Sequence, residues 1–181
     1  MLYEILAKIQ RRNQISNLKK HPNISFREIR LGISNQFVIH KNINKIVIGS
    51  GARFRNYVHI LVEKNATLEI GDQFFMNNFC SINCLEKISI GDNTLFGENV
   101  KIYDHNHVYQ TYPEFKLFHS EFTKAPIRIG NNCWLGSNVT VLKGVSIGDN
   151  CIIGAGCVIY KDVLSNTTIV NNQDLIQKEQ S

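Results

Sequence analysis

Asp104-His105-Asn106-His107 places two imidazoles and a carboxylate within four residues. That set suits proton transfer. A hydroxyl acting as a nucleophile must lose its proton as the new bond forms, and an imidazole with a pKa near neutrality can take it. A neighbouring carboxylate can hold the ring in the tautomer the reaction needs. Over four residues alone, a solvated loop or a metal clip would read the same way. The position of the motif adds weight. It stands where a regular pattern in the chain breaks off, and irregular loops on rigid scaffolds are where function concentrates.

The regular pattern has a period of six. From Ile129, every sixth residue is a branched aliphatic: Ile129, Leu135, Val141, Ile147, Ile153 and Ile159. Glycine follows at Gly130, Gly136, Gly148 and Gly154, and a small residue takes the fifth place at Cys133, Val139, Val145, Cys151, Cys157 and Val163. A helix needs a period near 3.6 and a simple strand a period of two, so neither accounts for this. The period predicts a parallel β-helix, each unit supplying one short strand and one corner. The aliphatic and the small residue point inward, and the glycine is expected to serve the bend. Three units make a turn, so Ile129 should lie over Ile147 and Cys133 over Cys151.

Around this coil the chain divides into residues 1–45, a basic helix and irregular cap; 46–170, the β-helix; and 171–181, a polar tail. Residues 2–19 read as a helix with an apolar stripe of Leu2, Ile5, Leu6 and Ile9. It either caps the open end of the coil or rests on anionic lipid. Coils are expected from Ile46-Val47-Ile48-Gly49 onward. Ile70 and Ile90 are twenty residues apart rather than eighteen, which places a slip near residues 74–86. The register then holds through Phe96, Ile102 and Val108. It stops over 109–126, and Ile127-Arg128-Ile129-Gly130 restarts it. The extruded loop, about 104–126, carries Tyr109, Tyr112, Phe115, Phe118 and Phe122, which suit either a sugar-stacking lid or the loop's own packing.

Composition excludes several classes. No apolar run reaches the roughly 18 residues of a membrane span, and Lys8, Arg11 and Arg12 interrupt any signal-like core, so a cytoplasmic protein is expected. Of the formal net charge of +5, +4 lies in residues 1–20, which argues against a nucleic-acid surface along the body. Five cysteines without a Cys-x-x-Cys spacing suggest neither a disulfide framework nor a metal site.

Residues 129–163, IGNNCWLGSNVTVLKGVSIGDNCIIGAGCVIYKDV, with IGDQFFMNN at 70–78 and IGDNTLFGENVKI at 90–102, resemble the hexapeptide-repeat O-acetyltransferases of the galactoside, maltose and surface-polysaccharide type. The resemblance implies an all-β, left-handed parallel β-helix and a homotrimer with acetyl-CoA as co-substrate in a groove between subunits. It puts the catalytic histidine on His107 in preference to His105, and an active-site asparagine on Asn77. Asp104 and His105 become accessory groups. The donor groove falls on Gly136, Ser137, Gly154 and Ala155, with Lys161 near the phosphates of CoA and Trp134 outward at a corner, in trimer packing or against the thioester. The chain departs from the family at Val170-Asn171-Asn172-Gln173, where a Gly-x-Pro segment is usual. No metal is expected.

The function so implied is acetyl transfer to a sugar hydroxyl, in surface-polysaccharide assembly, at the inner face of the membrane if the helix touches lipid. N-acetylation of an amino sugar or sugar nucleotide needs the same base. A small-molecule acceptor such as serine or an antibiotic is a third reading, and a non-catalytic β-helix scaffold needs neither the histidine pair nor the groove. A γ-class carbonic anhydrase would need a third histidine ligand.

Overall fold

The structure, a computed structural model, describes residues 2–172; the remainder of the expected polar tail lies outside the described residues. After one helix, α1 (Leu2–Lys20), the chain winds as a β-solenoid whose turns each lay down three short parallel strands. Three flat faces result. Face A runs in six strands from Ile24–Phe26 to Ser146–Ile147, face B in seven from Ile29–Leu31 to Thr168–Ile169, and face C in six from Gln36–Ile39 to Val158–Ile159. A fourth, two-stranded antiparallel sheet pairs His105–Gln110 with Lys116–Lys124.

The six-residue units fold as their spacing predicts. Ile129 pairs with Ile147, Leu135 with Ile153 and Val141 with Ile159. These aliphatics and all six small residues, Cys133 and Cys151 included, are buried. A stack of larger side chains fills the earlier turns, with Phe54, Phe74 and Phe96 in successive ring contacts at 5.9 and 5.0 Å. All five cysteines are free.

The coil begins earlier than residue 46. Ile24 already pairs with Ile46, and Phe37 with Ile60. The early turns are 22 or 23 residues long rather than 18, so the short period is hidden there. The surplus gathers at the corner between faces C and A. Val141 to Ile147 takes six residues, Ile82 to Ile90 eight, and Ile60 to Ile70 ten. The slip therefore lies between residues 82 and 90, only partly inside the 74–86 segment. Ile88 and Ile90 both point inward there. Val108 is not part of the coil at all, because the chain leaves face C after Tyr103.

The glycines have a different role from the one expected. At the A–B corners the left-handed backbone falls on Gln73, Asn93, Asn132 and Asn150, not on the glycine before them. Gly91 and Gly130 are needed for close approach between turns. A Cβ at Gly130 would stand 2.5 Å from Asp149 Oδ1 and 2.7 Å from the backbone nitrogen of Asp149. The residue after each glycine caps the turn below it: Asp72, Asp92, Asn131 and Asp149 each accept the N–H of the equivalent residue one turn earlier, at 2.6–2.8 Å.

Helix α1 packs through Ala7, Leu18 and Ile15, the last against the core of the coil. Ile5, Leu6 and Ile9 of the expected apolar stripe are half exposed and so do not cap the coil; the Leu2 side chain lies outside the described residues. Spacing alone did not distinguish the two faces, because the packed one includes the polar Gln14, whose amide donates to the Asn35 carbonyl. No described helix is long and apolar enough to cross a membrane.

Candidate active site

The segment read as an irregular loop is a β-hairpin, pinned at its root. Asp104 is fully buried and its carboxylate accepts the N–H groups of Leu85 (2.8 and 3.0 Å) and Glu86 (2.8 Å), which cap the long C–A corner one turn below. The Asp104 carbonyl accepts the Ala125 N–H at 3.0 Å, tying the two ends of the hairpin together. Lys124 Nζ donates to the Leu85 carbonyl at 3.3 Å. The sequence hid the hairpin because a bulge between His107 and Val108 breaks the period of two.

Both histidines project from this rooted strand. His105 is mostly buried, with Nδ1 3.4 Å from Asp104 Oδ1. His107 is exposed. Phe122, on the opposite strand, packs between them, its ring centroid 5.3 Å from His105 and 4.6 Å from His107. Of the loop aromatics, Phe118 and Phe122 therefore pack the hairpin, while Tyr109, Tyr112 and Phe115 are exposed. The corner thus offers one imidazole oriented by a buried carboxylate and one whose ring faces solvent, two residues apart on a rigid strand.

Asn77 and the expected donor residues lie on a different corner, between faces B and C. Rung by rung, Asn77, Gly97, Gly136 and Gly154 occupy one column, and Asn78, Glu98, Ser137 and Ala155 the next. The Asn77 side-chain oxygen accepts the Asn78 N–H at 2.9 Å. In the early turns the column's N–H groups are capped: Asn56 N–H by Asn78, and Asn78 N–H by Asn77. From Glu98 on this stops. Among the described residues, the N–H groups of Ser137 and Ala155 donate to nothing, whereas the matching groups on the A–B corner are all capped by Asp, Asn or Ser. Ala155 is exposed and Ser137 half-buried, and on the rung above Asn171 donates its side-chain amide to the Ala155 carbonyl at 3.3 Å. Eighteen residues apart and one turn above the other, the two open donors suit the amide carbonyls of an extended arm such as pantetheine.

Trp134 is not at a corner. It lies within face B between Leu95 and Ile152, with its ring outward and exposed. Lys161 is on the C–A corner, exposed, its Nζ 5.6 Å from the Tyr160 ring. One chain therefore divides the expected site between two corners: Asn77, Gly136, Ser137, Gly154 and Ala155 on B–C, and Asp104, His105, His107 and Lys161 on C–A. The width of face C separates them, roughly 15–20 Å at about 3.3 Å per extended residue.

No cysteine has the character of a nucleophile. Burial pushes the Cys80 thiol up to about 11 and raises those of Cys84 and Cys133 as well. Among the described residues, no three His, Cys, Asp or Glu side chains gather as a metal site. Two further features went unread in the sequence. Tyr57 and Phe79, both with left-handed backbones (φ 58° and 60°), stack with ring centroids 5.1 Å apart on the B–C corner. Arg30, Arg53 and Arg55 gather on face B and its edge. Only their vertical alignment brings these residues together, and turns of 22 and 23 residues conceal it.

Comparison with known proteins agrees with this architecture. A family described as "Hexapeptide repeat of succinyl-transferase" matches residues 126–161. A Dictyostelium discoideum protein named as an acetyltransferase is 35% identical over 140 residues, 77% of this chain and 72% of that one. The galactoside O-acetyltransferase of Escherichia coli is 38% identical over 101 residues, 56% of this chain and 48% of the enzyme. The chain spans about half the length of most of the curated relatives it matches. Among solved structures, an N-acyltransferase of Bacillus cereus in complex with dTDP and 3-hydroxybutyryl-CoA shares the fold, with a TM-score of 0.69 at 12% identity over 86% of this chain and 81% of that one.

Proposed function

Because the chain belongs to the hexapeptide-repeat acetyltransferase family, we propose that it transfers an acetyl group from acetyl-CoA to a sugar hydroxyl. The observation that carries this reading is the run of N–H groups at Glu98, Ser137 and Ala155 that no described residue caps, on a corner whose earlier turns are closed by side-chain caps. They would receive the pantetheine arm. Gly136 and Gly154 add no side chain beside those N–H groups, and Trp134 stands outward on the adjoining face. Acetyl-CoA supplies the thioester, whose carbonyl is the electrophile.

His107 is the general base in this reading. Its exposed ring, steadied against Phe122, can take the proton of an acceptor hydroxyl as that oxygen attacks. Asp104 and His105 position it: the buried carboxylate fixes the corner and the His105 ring, and both histidines share the Phe122 face. Asn77 holds the acceptor. The acetyl group passes directly, without a covalent enzyme intermediate.

The division of the site between two corners implies assembly. A homotrimer in which the C–A corner of one copy meets the B–C corner of the next would unite His107 and Lys161 with Asn77, Ser137 and Ala155. Lys161 would then sit where a cation suits the phosphates of CoA. An acceptor screen with acetyl-CoA, read by a 42 Da mass gain as expected for acetylation on mono- and disaccharides, tests the activity. Hydrolysis of acetyl-CoA with no acetylated sugar in any arm counts against it. Acetylation confined to amino groups would replace O-transfer by the N-acetyl reading, which requires the same base. Sedimentation of a fully active monomer would remove the shared site.

A further inference from the structure

The outer side of face B begins with two stacked arginines. Arg30 and Arg53 are register partners on adjacent strands, and Phe75 follows directly above Arg53. Like charges placed opposite one another on a sheet are destabilising. Arg11 from α1 and Arg55 from the B–C corner line the same groove of about 640 Å³, which gathers four positive charges on one surface. Among the described residues, none of the four guanidinium groups has a carboxylate partner; the ion pairs present are those of Glu69 with Lys45 and Lys87, and of Asp104 with His105. The exposed Arg53 side chain has its guanidinium 5.8 Å from the centre of the Phe75 ring, which gives the charge a preferred place along the groove.

We propose that this groove binds a pyrophosphate, and that the pyrophosphate belongs to the acceptor. Guanidinium forks match phosphate oxygens in pairs, and a doubly bridged anion relieves the repulsion between stacked arginines that no side chain relieves. The groove leads to the right place. The Arg55 N–H donates to the Met76 carbonyl at 2.8 Å, so Arg55 sits directly beneath Asn77 in the corner column. A sugar joined to a pyrophosphate held at Arg30, Arg53 and Arg55 would be presented at Asn77. Assigning the anion to the acceptor rests on the acetyl-transfer reading above; the anion site itself does not. Sugar nucleotides and lipid-linked sugars both carry this group, and the groove recognises what they share.

The test is calorimetry on the full chain at low salt, without acetyl-CoA, using inorganic pyrophosphate, uridine diphosphate and farnesyl diphosphate as probes. Pyrophosphate is expected to bind, and to bind more weakly as salt rises. Arg30→Ala and Arg53→Ala should each lower affinity about tenfold or more. Arg53→Lys, which keeps the charge but loses the fork, should fall between. Arg128→Ala, an exposed arginine on face A, should change nothing. Tighter binding of uridine diphosphate assigns a nucleotide carrier, and tighter binding of farnesyl diphosphate a lipid one. Equal affinities assign recognition to the pyrophosphate alone. No pyrophosphate binding at low salt, or binding untouched in both alanine variants with unchanged melting, overturns the site. Because no turnover is read, that result would leave the acetyl-transfer reading standing. Failure of acetyl transfer would likewise leave the anion site intact.

Discussion

Both carboxylate oxygens of Asp104 accept the backbone N–H of Leu85, at 2.8 and 3.0 Å, across one turn of the solenoid. This contact fastens the root of the histidine-bearing hairpin to the corner beneath it. Removing it leaves the N–H groups of Leu85 and Glu86 without their acceptor in a buried site. Asp104→Ala should therefore lower stability by about 2–5 kcal/mol. Asp104→Asn should do less harm, because an amide oxygen in the place of Oδ2 can still accept both N–H groups while its NH2 stands against the Leu85 N–H alone. Hydrogen exchange should show earlier opening of residues 85–86 and of the hairpin base. A variant with unchanged melting would mean that the corner is held by the Ala125 and Lys124 bonds instead.

The two histidines make different predictions because they sit differently. His107→Ala should lower turnover about 10²–10⁴-fold with acetyl-CoA affinity kept. His105→Ala should cost less and act mainly through hairpin order, since His105 is packed between Asp104 and Phe122. A dead His105→Ala enzyme beside an active His107→Ala enzyme would transfer the role of base to His105.

Whether the site is shared between subunits can be read by complementation. Neither Asn77→Ala nor His107→Ala alone should turn over acceptor at an appreciable rate. Mixed trimers made from equal amounts of the two should recover about a quarter of the wild-type sites, those where an unaltered B–C corner meets an unaltered C–A corner. Mixing that restores no activity, with subunit exchange verified by mass spectrometry, would place both residues in one chain's own site.

Two small-residue positions on different corners separate donor binding from folding. Ala155 is exposed, so Ala155→Phe should weaken acetyl-CoA binding with little loss of stability. Gly130→Ala meets backbone at 2.7 Å and should cost about 1–3 kcal/mol of stability with no direct effect on the donor. Calorimetry and melting curves on the two variants should give opposite patterns. Similar donor affinity in both would show that CoA lies elsewhere.

The buried thiols predict an alkaline limit. Burial raises Cys80 from 9.0 to about 11, only partly offset by backbone N–H groups near its sulfur. A group raised in the folded state contributes stability that is complete below its unfolded value. That stability is lost as pH climbs through the folded value. Stability should thus fall between about pH 9 and 11, and Cys80→Ala should flatten that part of the curve. Native protein should resist thiol reagents at pH 8 until it is unfolded. Equal labelling rates before and after unfolding would contradict the burial of these sulfurs.

The sequence alone determined the last turns of the coil. Where the turn is eighteen residues, Ile129, Ile147 and their partners declare both strand and register, because one period sets side-chain direction and vertical neighbour together. It also located the histidine motif, since a break in a strict period is visible without coordinates. The start of the coil at Ile24 was not legible, because surplus residues at the C–A corner lengthen the early turns and blur the period. Neither was the purpose of the glycines. Only stacking shows that Gly130 is needed for the approach of Asp149 and that the bend itself falls on Asn132. The hairpin was concealed by its bulge, and the packed face of α1 by Gln14. Tertiary structure alone decided which residues share a corner. It separated His107 and Lys161 from Asn77 and Ala155 by a full face, and it brought Arg30, Arg53 and Arg55 together. Those columns join residues 18 or more positions apart, and in the early turns no fixed spacing in the chain marks them.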